Sequence, residues 1–181
     1  MNIPNLITLA RLLSVPLAVW LIINGLLGPA FWLFVLAGIS DAVDGYLAKR
    51  LNAETVVGRY LDPLADKALL VSVFISLGIC GYLPSWLVIM VVFRDVLIVA
   101  GALLYHTLTQ NLTLEPLRIS KLNTAAQIVL VGMVLGQHGM DLPIDPATQI
   151  MVYLAALTTF ASGGAYVFEW TRRAAAMEEG E

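Results

Sequence analysis

The chain reads as six stretches of mostly apolar residues, at 6–27, 29–48, 59–80, 83–106, 119–137 and 147–170. Each is close to the about 20 residues that an α-helix needs to cross a bilayer. The interruptions at 24–25, 49–58, 81–82, 107–118 and 139–146 carry turn residues, charges or both. This pattern predicts an all-α integral membrane protein with six transmembrane helices. The second and third stretches are the least apolar, and they hold four aspartates. Asp41, Asp44, Gly45 and Ala48 follow i, i+3, i+4, i+7, one face of the second helix. Gly58, Asp62 and Asp66 step by four along one face of the third. Two such helices joined by a short polar turn would aim four carboxylates at one point.

Composition agrees with a membrane setting. Of 181 residues, 59% are hydrophobic and only 13% are charged, where soluble domains carry about a quarter charged residues. The single cysteine, Cys80, excludes a disulfide within the chain and a cysteine-based metal site. No basic block with interleaved aromatics is present, so the pattern gives no nucleic-acid partner. The opening Met1-Asn2-Ile3-Pro4-Asn5 does not resemble a signal or transit peptide, and Arg11 lies inside the first apolar stretch. The first stretch is therefore expected to be a retained helix, in a bacterial rather than a mitochondrial membrane.

Charge sets the orientation. None of the 10 Lys and Arg residues falls in the first, third or fifth connection, and the fifth is acidic, with Asp141 and Asp145. The even connections and both termini are thus expected on the cytoplasmic side of the bacterial cytoplasmic membrane. That topology puts the aspartates at the cytoplasmic ends of helices two and three. Arg94 and Asp95 read as an ion pair within the fourth helix. A lone Arg11 is expected to snorkel to the interface. His106 and His138 fall at opposite ends of the bundle as interface residues, and Trp86 and Trp170 read as aromatic-belt anchors.

A carboxylate at membrane depth costs roughly 2.5–3.5 kcal/mol on insertion scales, so four of them together call for a function. They would repel one another unless cations filled the cluster. Oxygen ligands without His or Cys suit Mg²⁺ or Mn²⁺, with Ca²⁺ also compatible. The reading is a site for two divalent ions. Such a pair clamps the attacking and leaving oxygens of an in-line phosphoryl displacement. Gly45, Ala48 and Gly58, in phase with the acids, leave room for a flat base and a diphosphate, although small residues also serve close helix packing. Two other classes place carboxylates in a membrane bundle. A channel or ion transporter would set them nearer the midplane, and an intramembrane prenyltransferase would use two separated Asp-rich motifs.

Asp41-Ala-Val-Asp44-Gly45-Tyr-Leu-Ala48-Lys49, followed after eight residues by Gly58-Arg-Tyr-Leu-Asp62-Pro-Leu-Ala-Asp66, resembles the signature of the CDP-alcohol phosphatidyltransferases. One position departs: Lys49 stands where the family usually has Arg, which keeps the charge but loses the guanidinium fork. The resemblance implies six transmembrane helices, a homodimer and an N-terminal segment lying partly at the interface. It implies that Asp41, Asp44, Asp62 and Asp66 bind two divalent ions on the diphosphate of a CDP-linked lipid, with Asp66 also the general base for the acceptor hydroxyl. Pro4, Asn5, Gly45, Lys49, Thr55 and Gly58 match positions that contact the CDP moiety. The catalytic domain would span 1–173, leaving a short polar tail at 174–181.

Within the family, Asn2-Ile-Pro-Asn5 with Thr8 and Arg11, and the segment from Asp62 to Lys67, resemble both phosphatidylglycerophosphate synthases and CMP-forming cardiolipin synthases. Phe93-Arg94-Asp95 and the run from Ile119 to Gln127 look more like the cardiolipin synthases. The glycerophosphate-using enzymes more often carry a second lysine where this chain has Asn123. Glycerol 3-phosphate brings nearly two charges and needs several cations, whereas phosphatidylglycerol brings one. The resemblance therefore implies transfer of a phosphatidyl group from CDP-diacylglycerol to phosphatidylglycerol, giving cardiolipin and CMP. The alternative is glycerol 3-phosphate as acceptor. Arg94, Arg118 and Lys121 are the candidate acceptor-binding residues.

Overall fold

The computed structural model describes the backbone at 3–51, 56–109 and 117–178, and the side chains at 9–40, 65–101 and 117–172. It contains six α-helices and, among the described residues, no strand. They are α1 (Ile3–Ile23), α2 (Leu27–Leu51), α3 (Val56–Ile79), α4 (Ser85–Thr109), α5 (Arg118–Gly139) and α6 (Asp145–Glu178). Each expected apolar stretch carries one helix. α6 runs on through Glu178, into the segment expected as a separate tail. Ala174, Ala175 and Ala176 are the best helix formers and carry the backbone past the end of the apolar stretch. Among the described residues two helices are long and apolar enough to cross a membrane, Arg118–Gly139 and Asp145–Arg172; the apolar runs Leu9–Ile23 and Leu27–Ser40 are shorter.

The chain divides into two compact units, one made of Met1–Pro84 and Val131–Asp145, the other of Ser85–Leu130 and Pro146–Glu181. In the first, α1 packs against both α2 and α3. Its buried residues include Ala18, Ala30, Ala37 and Ala65 as well as Ile22, Val73, Phe74 and Leu77. Between apolar helices in lipid, burial adds little, and close backbone approach over small side chains supplies the attraction. Two turns end their helices alike. Gly25 and Gly81 adopt φ of 72° and 79°. The N–H of Gly25 bonds the carbonyl of Ile22 and that of Leu26 the carbonyl of Leu21, at 3.0 and 2.9 Å. Gly81 and Tyr82 repeat the pattern on Gly78 and Leu77 at 3.1 and 2.9 Å. Both are Schellman caps, in which the left-handed residue falls to glycine because it has no Cβ.

The tightest approach in this unit joins the start of α2 to the end of α5. A Cβ on Gly28 would lie 2.9 Å from the carbonyl oxygen of Gly139, and one on Gly139 would overlap the backbone of Leu27 and Gly28. Backbone cannot rotate out of the way as a side chain can. Gly139→Ala is therefore expected to cost about 1–3 kcal/mol, read as a lower thermal midpoint of the purified protein.

In the second unit each helix presents one buried face. On α4 it carries Leu87, Val91 and Arg94; on α5 Asn123, Gln127 and Leu130; on α6 Thr148, Val152, Ala155, Thr159, Ser162 and Tyr166. Steps of three and four along each helix produce a single stripe. The opposite face of α6 exposes Ile150, Tyr153, Leu157, Phe160 and Phe168. Apolar surface of that extent suits contact with hydrocarbon rather than water.

Candidate functional site

α2 is helical through Asp41, Asp44, Gly45 and Ala48, and α3 through Gly58, Asp62 and Asp66. The sequence spacing therefore falls on true helical turns, and each set occupies one side of its helix. The side chains of Pro4, Asn5, Asp41, Asp44, Gly45, Lys49, Thr55, Gly58 and Asp62 lie outside the described residues, as does that of His106. Asp66 is described, and its carboxyl is 43% exposed. Arg11 Nη1, from α1, donates to Asp66 Oδ1 in an ion pair that joins residues 55 positions apart.

This corrects the expectation for Arg11. Its side chain is 3% exposed and does not snorkel. Snorkelling serves a cation that has no acid within reach; here α1 packs on α3 and brings one to it, which meets the requirement that a buried charge be paired. Arg11 also lines an open groove between α1 and α2, with Ala10, Ser14, Leu33, Leu36, Ala37 and Ser40.

The other charged cluster lies in the second unit. Arg94 Nη1 donates to Asp95 Oδ1 at 2.7 Å, Nη2 to Ser120 Oγ at 2.6 Å and Nε to Ser162 Oγ at 3.2 Å. Its guanidinium carbon stands 5.9 Å from the centre of the Tyr166 ring, within cation–π reach. Both members of the Arg94–Asp95 pair are buried, at 4% and 8% exposure. Arg118 and Lys121, in the first turn of α5, are exposed. Arg94 meets that turn through Ser120, which stands between them in the chain.

Asn123 is fully buried, and its Oδ1 accepts from the hydroxyls of Thr158 and Thr159 at 2.9 and 2.8 Å. One turn along α5, Gln127 is also fully buried, and among the described residues neither atom of its amide has a partner. Each such group costs about 1–3 kcal/mol. Ser120, Thr159, Ser162 and Tyr166 escaped the sequence reading. The signal was there: in an apolar α6, the polar residues 148, 159, 162 and 166 keep helical phase. Trp170 departs from the belt role, since its indole packs near Tyr166 with ring centres 5.8 Å apart and lies over Gly101. Trp86 remains half exposed and stacks on Tyr153 at 6.4 Å.

The family model for CDP-alcohol phosphatidyltransferases matches residues 1–161. The chain belongs to that family. A CDP-alcohol phosphatidyltransferase is generally dependent on a divalent metal, and the hard oxygen donors of α2 and α3 fit one. The chain is 36% identical over 180 residues to the cardiolipin synthase (CMP-forming)/mitochondrial hydrolase fusion protein of Schizosaccharomyces pombe, across 91% of this chain and 30% of that protein. It is 36% identical over 183 residues to a probable cardiolipin synthase (CMP-forming) of Drosophila melanogaster, across 92% and 57%. With the CDP-diacylglycerol–glycerol-3-phosphate 3-phosphatidyltransferase of Bacillus subtilis it shares 32% identity over 185 residues, 91% of this chain and 93% of the relative. The chain thus spans under two thirds of the first two relatives and nearly all of the bacterial one.

Proposed function

We propose that this CDP-alcohol phosphatidyltransferase makes cardiolipin. A hydroxyl of phosphatidylglycerol attacks the β-phosphorus of CDP-diacylglycerol; the new P–O bond forms as the bridging P–O bond breaks, and CMP leaves. Asp41, Asp44, Asp62 and Asp66 would hold two ions, Mg²⁺ or Mn²⁺, which when bound polarise the attacked phosphorus and stabilise the leaving CMP. Asp66 takes the hydroxyl proton, a role open to a carboxylate that still faces solvent. Pro4, Asn5, Gly45, Lys49, Thr55 and Gly58 receive the CDP moiety, and Arg118 and Lys121 meet the acceptor. Arg94 supports that end through Ser120. In this reading all six helices span the bacterial cytoplasmic membrane, with the site and both termini cytoplasmic, in a homodimer.

The observation that favours phosphatidylglycerol is Asn123. It occupies, fully buried, a position where glycerophosphate-using relatives of this type more often carry a lysine, and two threonines engage its carbonyl. One fewer cation suits an acceptor with one charge fewer. Glycerol 3-phosphate is the second reading, favoured by the end-to-end match to the Bacillus relative.

The deciding experiment gives the purified protein CDP-diacylglycerol with Mg²⁺ or Mn²⁺ and one acceptor at a time, following CMP and lipid product. Cardiolipin from phosphatidylglycerol is expected. Phosphatidylglycerophosphate from glycerol 3-phosphate would keep the mechanism and overturn the acceptor.

A further inference from the structure

Among the described residues two arginines are buried, and they differ in a way that bears on mechanism. Arg94 pairs with its chain neighbour Asp95, and both are shut away from solvent. That is what a structural pair needs, since each charge offsets the other's loss of hydration. Arg11 is as deeply buried, yet its acid is on another helix and stays 43% exposed. The cation is buried and the carboxylate stays partly exposed. An exposed aspartate does not need a partner to remain in place; water serves it at little cost.

What the pair does supply is direction. A guanidinium is planar and presents its donors in a rigid fork, so it orients a carboxylate as well as neutralising it. Arg11 is itself held, because α1 is packed between α2 and α3. It also sets a positive charge beside Asp66.

We propose that Arg11 is a positioning residue: from α1 it fixes the carboxyl of Asp66 in the orientation that receives the acceptor's proton. This rests on Asp66 being the base. A misplacement of about 1 Å in a reacting group costs on the order of 100-fold in rate, and it does so in turnover rather than in substrate affinity.

The test uses the full chain in detergent or nanodiscs with Arg11→Met, Arg11→Lys, Asp66→Asn and the double variant Arg11→Met/Asp66→Asn. Thermal unfolding in EDTA reads the pair without reference to activity. The double variant is expected to be destabilised by clearly less than the two single shifts together; additive shifts would show that the pair carries no coupling and overturn the proposal. In the reaction, Arg11→Met is expected to lose about 100-fold in kcat with KM for CDP-diacylglycerol within about threefold. Arg11→Lys, which keeps the charge without the fork, is expected to recover about tenfold of that loss. Stoichiometric Mn²⁺ binding, followed by electron paramagnetic resonance, should survive in both.

A kcat within about threefold of the parent in folded Arg11→Met, or a loss confined to KM, would overturn the proposal. Full recovery by Arg11→Lys would do the same, since charge alone would then suffice. If Arg11→Met does not fold, Arg11→Lys decides: a lowered kcat at an unchanged midpoint supports positioning, and parental kcat refutes it. Asp66→Asn separates the two layers. An active Asp66→Asn removes the base on which the proposal rests, whereas an inactive one beside fully active Arg11 variants defeats the proposal alone.

Discussion

Asp66→Asn should release CMP from CDP-diacylglycerol some 10²- to 10⁴-fold more slowly than the parent protein, the range of a lost general base. The amide is close to isosteric and keeps an oxygen donor, so Mn²⁺ should still bind. It cannot accept the proton as the acceptor oxygen attacks phosphorus. Single turnovers with saturating CDP-diacylglycerol and phosphatidylglycerol measure the step directly and separate it from lipid exchange. Asp62→Ala, Asp41→Ala and Asp44→Ala should also be inactive, for a different reason: each deletes a proposed metal ligand, and Mn²⁺ titration should show weaker binding. Full turnover in Asp66→Asn or Asp62→Ala would end the proposed mechanism.

The second large effect concerns stability. Arg94→Met leaves the Asp95 carboxylate buried without its neighbouring cation, and removing one member of a buried pair costs about 3–5 kcal/mol. It also strips Ser120 and Ser162 of a charged donor. The thermal midpoint is expected to drop on the order of 10 °C. The measurement bears on the acceptor site too. If Arg94 acts mainly through the fold, Arg94→Lys should lower the midpoint in step with any rise in acceptor KM. A raised KM for phosphatidylglycerol at an unchanged midpoint would assign Arg94 to the acceptor directly.

How far these features were legible depended on the range of the interaction. The helices and their breaks follow from local rules: apolar length, then Asn24-Gly25 or Gly81-Tyr82, where a left-handed residue is needed. The phase of the aspartates is equally local, because i to i+4 geometry belongs to one helix. Partners across helices were not legible. Arg11 looked like a lone cation near a helix end because Asp66 lies 55 residues away, and nothing in either segment encodes their meeting. Asn123 read as a missing lysine; that two threonines of α6 close on it depends on packing. The extent of α6 was misjudged because hydropathy, which marks membrane depth, says nothing of Ala174–176 continuing a helix.

α5 is one helix, yet the part up to Leu130 belongs to one compact unit and the part from Val131 to the other. Synthesis runs from the amino end, so α1, α2 and α3 leave the ribosome well before the segment that completes their unit exists. Until it arrives, Gly28 has no Gly139 to close upon. Arg94 likewise waits, first for Ser120 and then for Ser162. The first unit is complete once Asp145 has been made, and the second only when α6 has followed. Biogenesis is thus a late commitment: a nascent chain stalled between α4 and α5 has the residues of both its Arg11–Asp66 and Arg94–Asp95 pairs but neither closed unit, and that is the species membrane chaperones and proteases would meet.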